Sequence, residues 1–377
     1  MIWGDAMNFT QKNRKAPWLA GMAAALFLLL PRAAWSHPAI YGFNFPCWQT
    51  DCYQSASAGQ SLQALAQTGA RWAAVIPTWY MRSAQDFRMA PTRASPSDES
   101  IVAAMRQAKA MGLWVALKPH VDLDNGHPRS DIDPKDAAAW FANYRIMILH
   151  YALLAAQGHA DMFVVGTELL HLDGPAHRGD WKRLIVEVRA IYPGPLTYAA
   201  NSYNFIRVSF WDKLDYIGID GYFPMLGGDD EALLRLGWEA YKPVLAGMSA
   251  AYGKPVLFTE IGISSQKGAN LRPWAFGHFG PLDIQVQKAY LQAFLDTFSG
   301  DKWFAGFWLW DWEADSQSMG PQDKGQSVRG KPAQKLLEKY FKSWRGGQSV
   351  ASPPAPNIST SGARALGRIR PDAFDGL

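Results

Sequence analysis

MFVVGTE, residues 162–168, is an apolar run closed by a carboxylate. Phe163, Val164 and Val165 favour extended backbone, and the run is too short for a helix, so it reads as a strand buried on both faces. The stretch before it, 135–157, carries a helical pattern that ends at Gly158, and 181–192 carries another. The alternation extends in both directions. Strand runs recur at IYGFNF (40–45), WAAVIP (72–77), LWVALKP (113–119), LTYAAN (196–201), YIGIDGY (216–222), PVLFTE (255–260) and AGFWLWD (305–311). Helical stretches cover 62–68, 99–111, 231–252, 284–298 and 333–341. Gly69, Gly112, Gly158, Gly253 and Gly300 fall just after helical stretches, where a left-handed cap residue is wanted. Pro195 and Pro255 mark strand entries. Strand–helix units in series require a parallel sheet with covered faces. Eight strand runs in roughly 300 residues predict a closed (β/α)8 TIM barrel rather than an open doubly wound sheet. An open sheet with a nucleotide cofactor wants a glycine fingerprint after its first strand; that position reads GFNFPCWQTDC and holds no GxGxxG.

Composition excludes several classes. The 377 residues are 48% hydrophobic and 19% charged, unlike a disordered chain. Two cysteines cannot staple a disulfide scaffold. One apolar run near the length of a span, at the N-terminus, excludes a polytopic membrane protein. That segment reads as an export signal: Lys12, Arg14 and Lys15 precede the apolar stretch 18–30, and Ala33-Ala34-Trp35-Ser36 offers a cleavage site after Ser36. An uncleaved anchor is the other reading. The expected division is a signal peptide at 1–36, a catalytic barrel at 37–344 and a disordered Gly/Ser/Pro-rich tail at 345–377, with a periplasmic or secreted location. Removing the signal leaves 33 basic and 32 acidic residues, so nothing points to nucleic acid, and no stable membrane partner is expected afterwards. In an oxidising compartment Cys47 and Cys52 should pair and pin the loop after the first strand.

A barrel of this type places its chemistry at the carboxyl ends of its strands. The fourth run ends in Glu168 and the seventh in Glu260, on opposite sides of an eight-membered ring. Two facing carboxylates are the equipment of glycoside hydrolysis: one protonates the leaving oxygen, the other attacks the anomeric carbon or activates water. Taken singly, each could instead be a barrel-end salt-bridge partner. Other strand ends offer sugar contacts: Lys118, His120 and Asp122 on the third, Asn201 and Tyr203 on the fifth, Asp220 and Tyr222 on the sixth, and Trp308, Trp310 and Trp312 on the eighth. His120 reads equally as a core histidine, Lys118 as a partner that neutralises a carboxylate, and one of the three tryptophans as buried against helices. No HxxxH, HExxH or GxSxG occurs, so neither a metal nor a cofactor is expected.

VVGTELL (164–170), FTEIGISS (258–265), FWLWDWEAD (307–315), LKPHVDL (117–123), YIGIDGYFP (216–224) and RGKPAQKLLEKYF (329–341) resemble glycoside hydrolase family 113, over roughly 40–341. The resemblance implies a retaining (β/α)8 glycosidase with endo-β-1,4-mannanase activity. It implies Glu168 as acid/base, Glu260 as nucleophile, and Tyr222 as the aromatic that hydrogen-bonds the nucleophile. Trp79, Lys118, His120, Asp122, Asn201, Trp274 and Trp310 fall in its cleft-lining segments. Thr167 stands where many of the wider clan have Asn before the acid/base. Its shorter hydroxyl reaches less far, which passes the sugar 2-hydroxyl to Asn201 or another polar residue. The expected function is an exported retaining β-glycoside hydrolase acting on a β-linked, mannan-like polysaccharide by double displacement. Two alternatives share the scaffold: a hydrolase of the cell's own exopolysaccharide, and a carbohydrate-binding barrel without turnover. An inactive barrel would be expected to have lost one of the carboxylates.

Overall fold

The computed structural model describes residues 39–315 and 319–345. The expected signal segment 1–36 and nearly all of the expected tail 345–377 lie outside the described residues. In chain order the elements are β1 (Ile40–Pro46), α1 (Ala56–Gln67), β2 (Trp72–Ile76), β3 (Thr78–Met81), α2 (Asp98–Ala110), β4 (Trp114–Leu117), β5 (His120–Leu123), α3 (Ala137–Gln157), β6 (Met162–Thr167), α4 (Arg178–Ile191), β7 (Leu196–Asn201), β8 (Ile217–Asp220), α5 (Glu231–Tyr252), β9 (Val256–Ile261), α6 (Ile284–Phe298), β10 (Phe304–Leu309) and α7 (Pro332–Arg345). Eight strands close a barrel in the order β1-β10-β9-β8-β7-β6-β4-β2, every neighbouring pair parallel. The expected TIM barrel is present, and each of its strands falls within an apolar run read from the sequence or one residue of it.

Strand alternation sorts side chains into two layers. Ile40, Trp72, Ala74, Ala116, Met162, Val164, Ala199, Tyr216, Leu257 and Trp308 fill the barrel as a core cluster of their own. Trp72 stacks against Trp114 at 5.7 Å and meets Trp308 at 6.0 Å, which plugs the end where the strands begin. The opposite parity packs on the helices. Space between strands is tight enough at Gly306 (φ 133°) that a Cβ would lie 1.6 Å from the Ile40 carbonyl oxygen.

Three features depart from the sequence reading. First, the crossover between β7 and β8 has no α-helix; it holds two 3-10 turns, Phe205–Arg207 and Trp211–Lys213. Phe210 takes the helix's place by stacking on Trp181 at 4.6 Å. Second, Gly158 stays right-handed (φ −83°) and His159 takes the left-handed position instead (φ 55°), and Gly300 does not take positive φ either, whereas Gly69, Gly112 and Gly253 do. Third, β3 and β5 continue β2 and β4 beyond Pro77 and Pro119 as a separate parallel pair, with Thr78 opposite His120 and Tyr80 opposite Asp122. Proline has no N–H to donate to a ladder, so each barrel strand is interrupted there and then resumes. The small sheet carries His120 and Asp122 above the barrel mouth. Beside β1, Cys47 and Cys52 are disulfide-bonded with their Cα atoms 6.3 Å apart.

Candidate active site

Glu260 is turned into the barrel mouth by an irregularity in its strand. Leu257 faces inward and Phe258 packs on the helices, so plain alternation would send Glu260 outward. The pairing of β8 with β9 shifts at this point: Ile219 lies opposite Phe258, but Asp220 lies opposite Glu260. One residue is skipped, as in a bulge, and bulges re-aim side chains beside functional sites. Thr259 and Glu260 consequently both reach polar partners within the barrel. Thr259 Oγ1 donates to Asp220 Oδ1 at 2.7 Å. Glu260 Oε1 is ion-paired with Lys118 Nζ, and Tyr222 donates its hydroxyl to Glu260 Oε2 at 2.6 Å. Lys118 Nζ also lies 3.5 Å from Asp220 Oδ1. Burial, reinforced by the charge of Glu260, pushes the Asp220 carboxyl well above the ordinary aspartate range, with Lys118 pulling the other way.

Glu168 follows β6 after a similar shift, since Val164 pairs with Thr197 but Thr167 with Ala199. Gly166 sits in the irregularity; a Cβ there would lie 2.7–2.9 Å from Tyr144, Trp181 and Tyr198. Glu168 itself has φ 52°, a left-handed backbone uncommon for a residue with a side chain. Its Oε1 accepts from Asn201 Nδ2 at 3.1 Å, and Arg129 Nη1 lies 3.7 Å from its Oε2. Arg129 Nε in turn donates to Asp122 Oδ1 at 2.8 Å. Burial lifts the Glu168 carboxyl to about 7 and the charge of Glu260 adds to the lift, while Arg129 and Lys118 oppose it. The two carboxyls therefore share one electrostatic environment and are held differently. Glu260 is gripped through both oxygens; Glu168 accepts one hydrogen bond and remains 16% exposed at the mouth.

Two acids on facing strand ends, one gripped and one lifted toward neutrality, are arranged for work on a glycosidic bond. A model of glycoside hydrolase family 113 matches residues 41–331. The chain belongs to glycoside hydrolase family 113. It is 28% identical to the GH113 β-mannanase AaManA from Alicyclobacillus acidocaldarius, solved in complex with ManMIm, with a TM-score of 0.76 over 83% of this chain and 100% of that one. A GH113 β-1,4-mannanase complex is 27% identical, with a TM-score of 0.74 over 81% of this chain and 100% of that one. A Ruminococcus gnavus β-glucuronidase, 12% identical with a TM-score of 0.52 over 80% of this chain and 50% of that one, shares the fold alone. A search of curated proteins finds no match.

The other expected site residues of this family 113 hydrolase divide into those the fold gathers and those it does not. Trp310, with Ile76 and Tyr222, floors the mouth. His120 stacks on Trp310 at 6.0 Å, and Lys118 Nζ lies 5.9 Å from the same indole. His120 Nε2 is 3.9 Å from Glu260 Oε1, but burial and the charges of Arg129 and Lys118 drive the imidazole well below its usual value. It is neutral, so this contact is no ion pair. Asp122 reaches Glu168 through Arg129. Trp274 is 48% exposed on the loop after β9. Trp79 does not join the group: its ring packs on His150 and Tyr151 of α3 at 6.3 and 6.2 Å, because Thr78 and Tyr80 take the other face of β3. Among the strand-eight tryptophans, Trp308 plugs the barrel, and Trp312 is the one buried on a helix, donating Nε1 to the Ser61 carbonyl of α1 at 2.9 Å. Arg129 was not foreseen. It lies after β5 in a polar loop, in the 3-10 turn Arg129–Asp131, where only the three-dimensional course of the small sheet brings it to Glu168.

Proposed function

We propose that this hydrolase is an exported β-mannanase that works with retention, Glu260 as nucleophile and Glu168 as acid/base. The observation that carries the reading is the unequal hold on the two carboxyls. A nucleophile must be ionised and aimed, and a cation on one oxygen with a hydroxyl donor on the other does both. An acid/base must carry a proton near neutral pH and then lose it, and a carboxyl lifted to about 7 can do so. Asn201 donates to Oε1, which leaves the proton of Glu168 on Oε2.

Double displacement follows from these contacts. Glu260 attacks the anomeric carbon as Glu168 passes its proton to the leaving oxygen. The resulting ester removes the negative charge of Glu260, which was one of the effects lifting Glu168. Glu168 then becomes the stronger acid, stays ionised, and takes a proton from the water that releases the sugar. Esterification of Glu260 also removes one of the charges that raise the Asp220 carboxyl, so Asp220, beside Lys118, ionises more readily and gives the ammonium a counter-charge. Trp310 supports the sugar face, and Asn201, which already donates to Glu168 Oε1, takes the 2-hydroxyl in place of the shorter Thr167.

β-Mannan is the favoured substrate because the solved relatives at 27–28% identity are β-mannanases. Export rests on the basic and apolar composition of residues 12–36. The test is product analysis on mannan, glucomannan, cellulose and an exopolysaccharide, with the first-formed anomer followed by NMR. Mannan cleavage with the β-anomer appearing first is expected. First appearance of the α-anomer, or an active Glu260→Gln enzyme, would sink the assignment.

A further inference from the structure

We propose that Asp173 is a positioning residue for Glu168, acting from behind the barrel through the Tyr198 hydroxyl and through Asn204. The proposal rests on the reading of Glu168 as acid/base. Asp173 has no exposed surface. Its Oδ2 accepts the Tyr198 hydroxyl at 3.1 Å, and Tyr198 in turn accepts the Leu169 N–H at 2.8 Å. A phenol has one proton. Giving it to Asp173 turns the lone pairs of Tyr198 toward Leu169, so the carboxylate decides which way the hydroxyl points. Leu169 is the residue directly after Glu168, whose left-handed backbone persists only if its surroundings hold it. The Glu168 N–H bonds the Ala199 carbonyl at 2.8 Å, so the peptide units on both sides of this residue are tied to β7.

The second oxygen of Asp173 serves the other end of Glu168. Asn204 Nδ2 donates to Oδ1 at 2.7 Å. The Asn204 N–H bonds the Asn201 carbonyl at 3.0 Å, and the Asn201 amide is the group that donates to Glu168 Oε1 at 3.1 Å. One buried carboxyl therefore anchors both the backbone and the side-chain partner of Glu168. Burial pushes this carboxyl up to about 7 despite the hydrogen bonds from Tyr198 and Asn204 that lower it. A position serving packing alone would be filled at less cost by an apolar or amide side chain.

The test compares kcat/KM on two substrates whose first step differs in its need for an acid. 2,4-Dinitrophenyl β-mannoside has a leaving group that departs without protonation; β-1,4-mannotetraose has one that does not. Tyr198→Phe and Asp173→Ala are expected to lower kcat/KM on mannotetraose about tenfold, a fraction of the roughly 10²–10⁴-fold worth of a general acid. On the aryl mannoside they should stay within about twofold, because no proton transfer is asked of Glu168. Asp173→Asn should recover only part of the loss, since its amide oxygen still accepts from Tyr198 while its NH2 meets the Asn204 Nδ2, a donor against a donor. Tyr198→Phe removes a single oxygen from a packed ring, and circular dichroism with a melting curve checks that it folds. Equal losses on both substrates, or none on either, overturn the proposal. Glu168→Ala is the control: if it too loses both activities alike, the acid/base reading of Glu168 fails, whatever the Asp173 variants do.

Discussion

Lys118 ties Glu260 to Asp220 from a position with no exposed side-chain surface. A cation this deep is tolerated only because carboxylates meet it, and the carboxylates are tolerated only because of the cation. Lys118→Met should therefore destabilise the protein by about 3–5 kcal/mol at pH 7, where it leaves buried charge without a partner. The loss should shrink at pH 4.5, where the freed carboxyls take up protons. Denaturant midpoints at the two pH values measure this; an unchanged midpoint at pH 7 would mean that the pair contributes nothing.

The lifted carboxyl of Glu168 should set the basic limb of activity. kcat/KM should fall above about 7, as the acid form is titrated away. Arg129 pulls this carboxyl down, so Arg129→Gln should move the limb to higher pH, by about half a unit or more. A limb that moves to lower pH, or does not move, contradicts the assignment.

The same carboxyl has a cost in stability. Its value rises from 4.5 to about 7 on folding, so its ionisation opposes the folded state. The cost is absent below 4.5, grows between 4.5 and about 7, and is constant above. Glu168→Gln, which cannot ionise, should be more stable than the parent by about 1–3 kcal/mol at pH 8 and by less than about 1 kcal/mol at pH 5. Melting curves at both pH values check this, and a variant less stable than the parent at pH 8 refutes it.

The disulfide between Cys47 and Cys52 closes a very short loop. Such a loop restricts the unfolded chain little, so Cys47→Ser with Cys52→Ser should cost about 2 kcal/mol and lower the melting temperature by a few degrees. Turnover should survive, because neither cysteine contacts Glu168 or Glu260. Loss of activity in a folded double variant would assign the loop a part in the site.

The strands were legible because burial on two faces writes itself as an apolar run, and MFVVGTE and PVLFTE carry that mark in any context. The two glutamates were legible for the same reason: each is a charge at the end of such a run. The small sheet was not, since Pro77 and Pro119 end a ladder locally and nothing nearby says that it resumes. Arg129 was hidden among polar loop residues whose composition does not distinguish a neighbour of Glu168 from a solvated cation. Trp79 turns toward α3, onto His150 and Tyr151, a matter of parity that a motif does not carry.

Local chemistry, which needs no distant partner, thus determined the order of strands and helices, the closed barrel and the identity of the paired acids. Tertiary structure decided how those acids are held. The slipped registers that turn Glu260 inward and carry Glu168 into a left-handed backbone, the sealing of Lys118 between two carboxyls, and the reach of Asp173 to Glu168 through Tyr198 all depend on residues far apart in the chain meeting where water is excluded. There a few ångströms set both geometry and proton affinity.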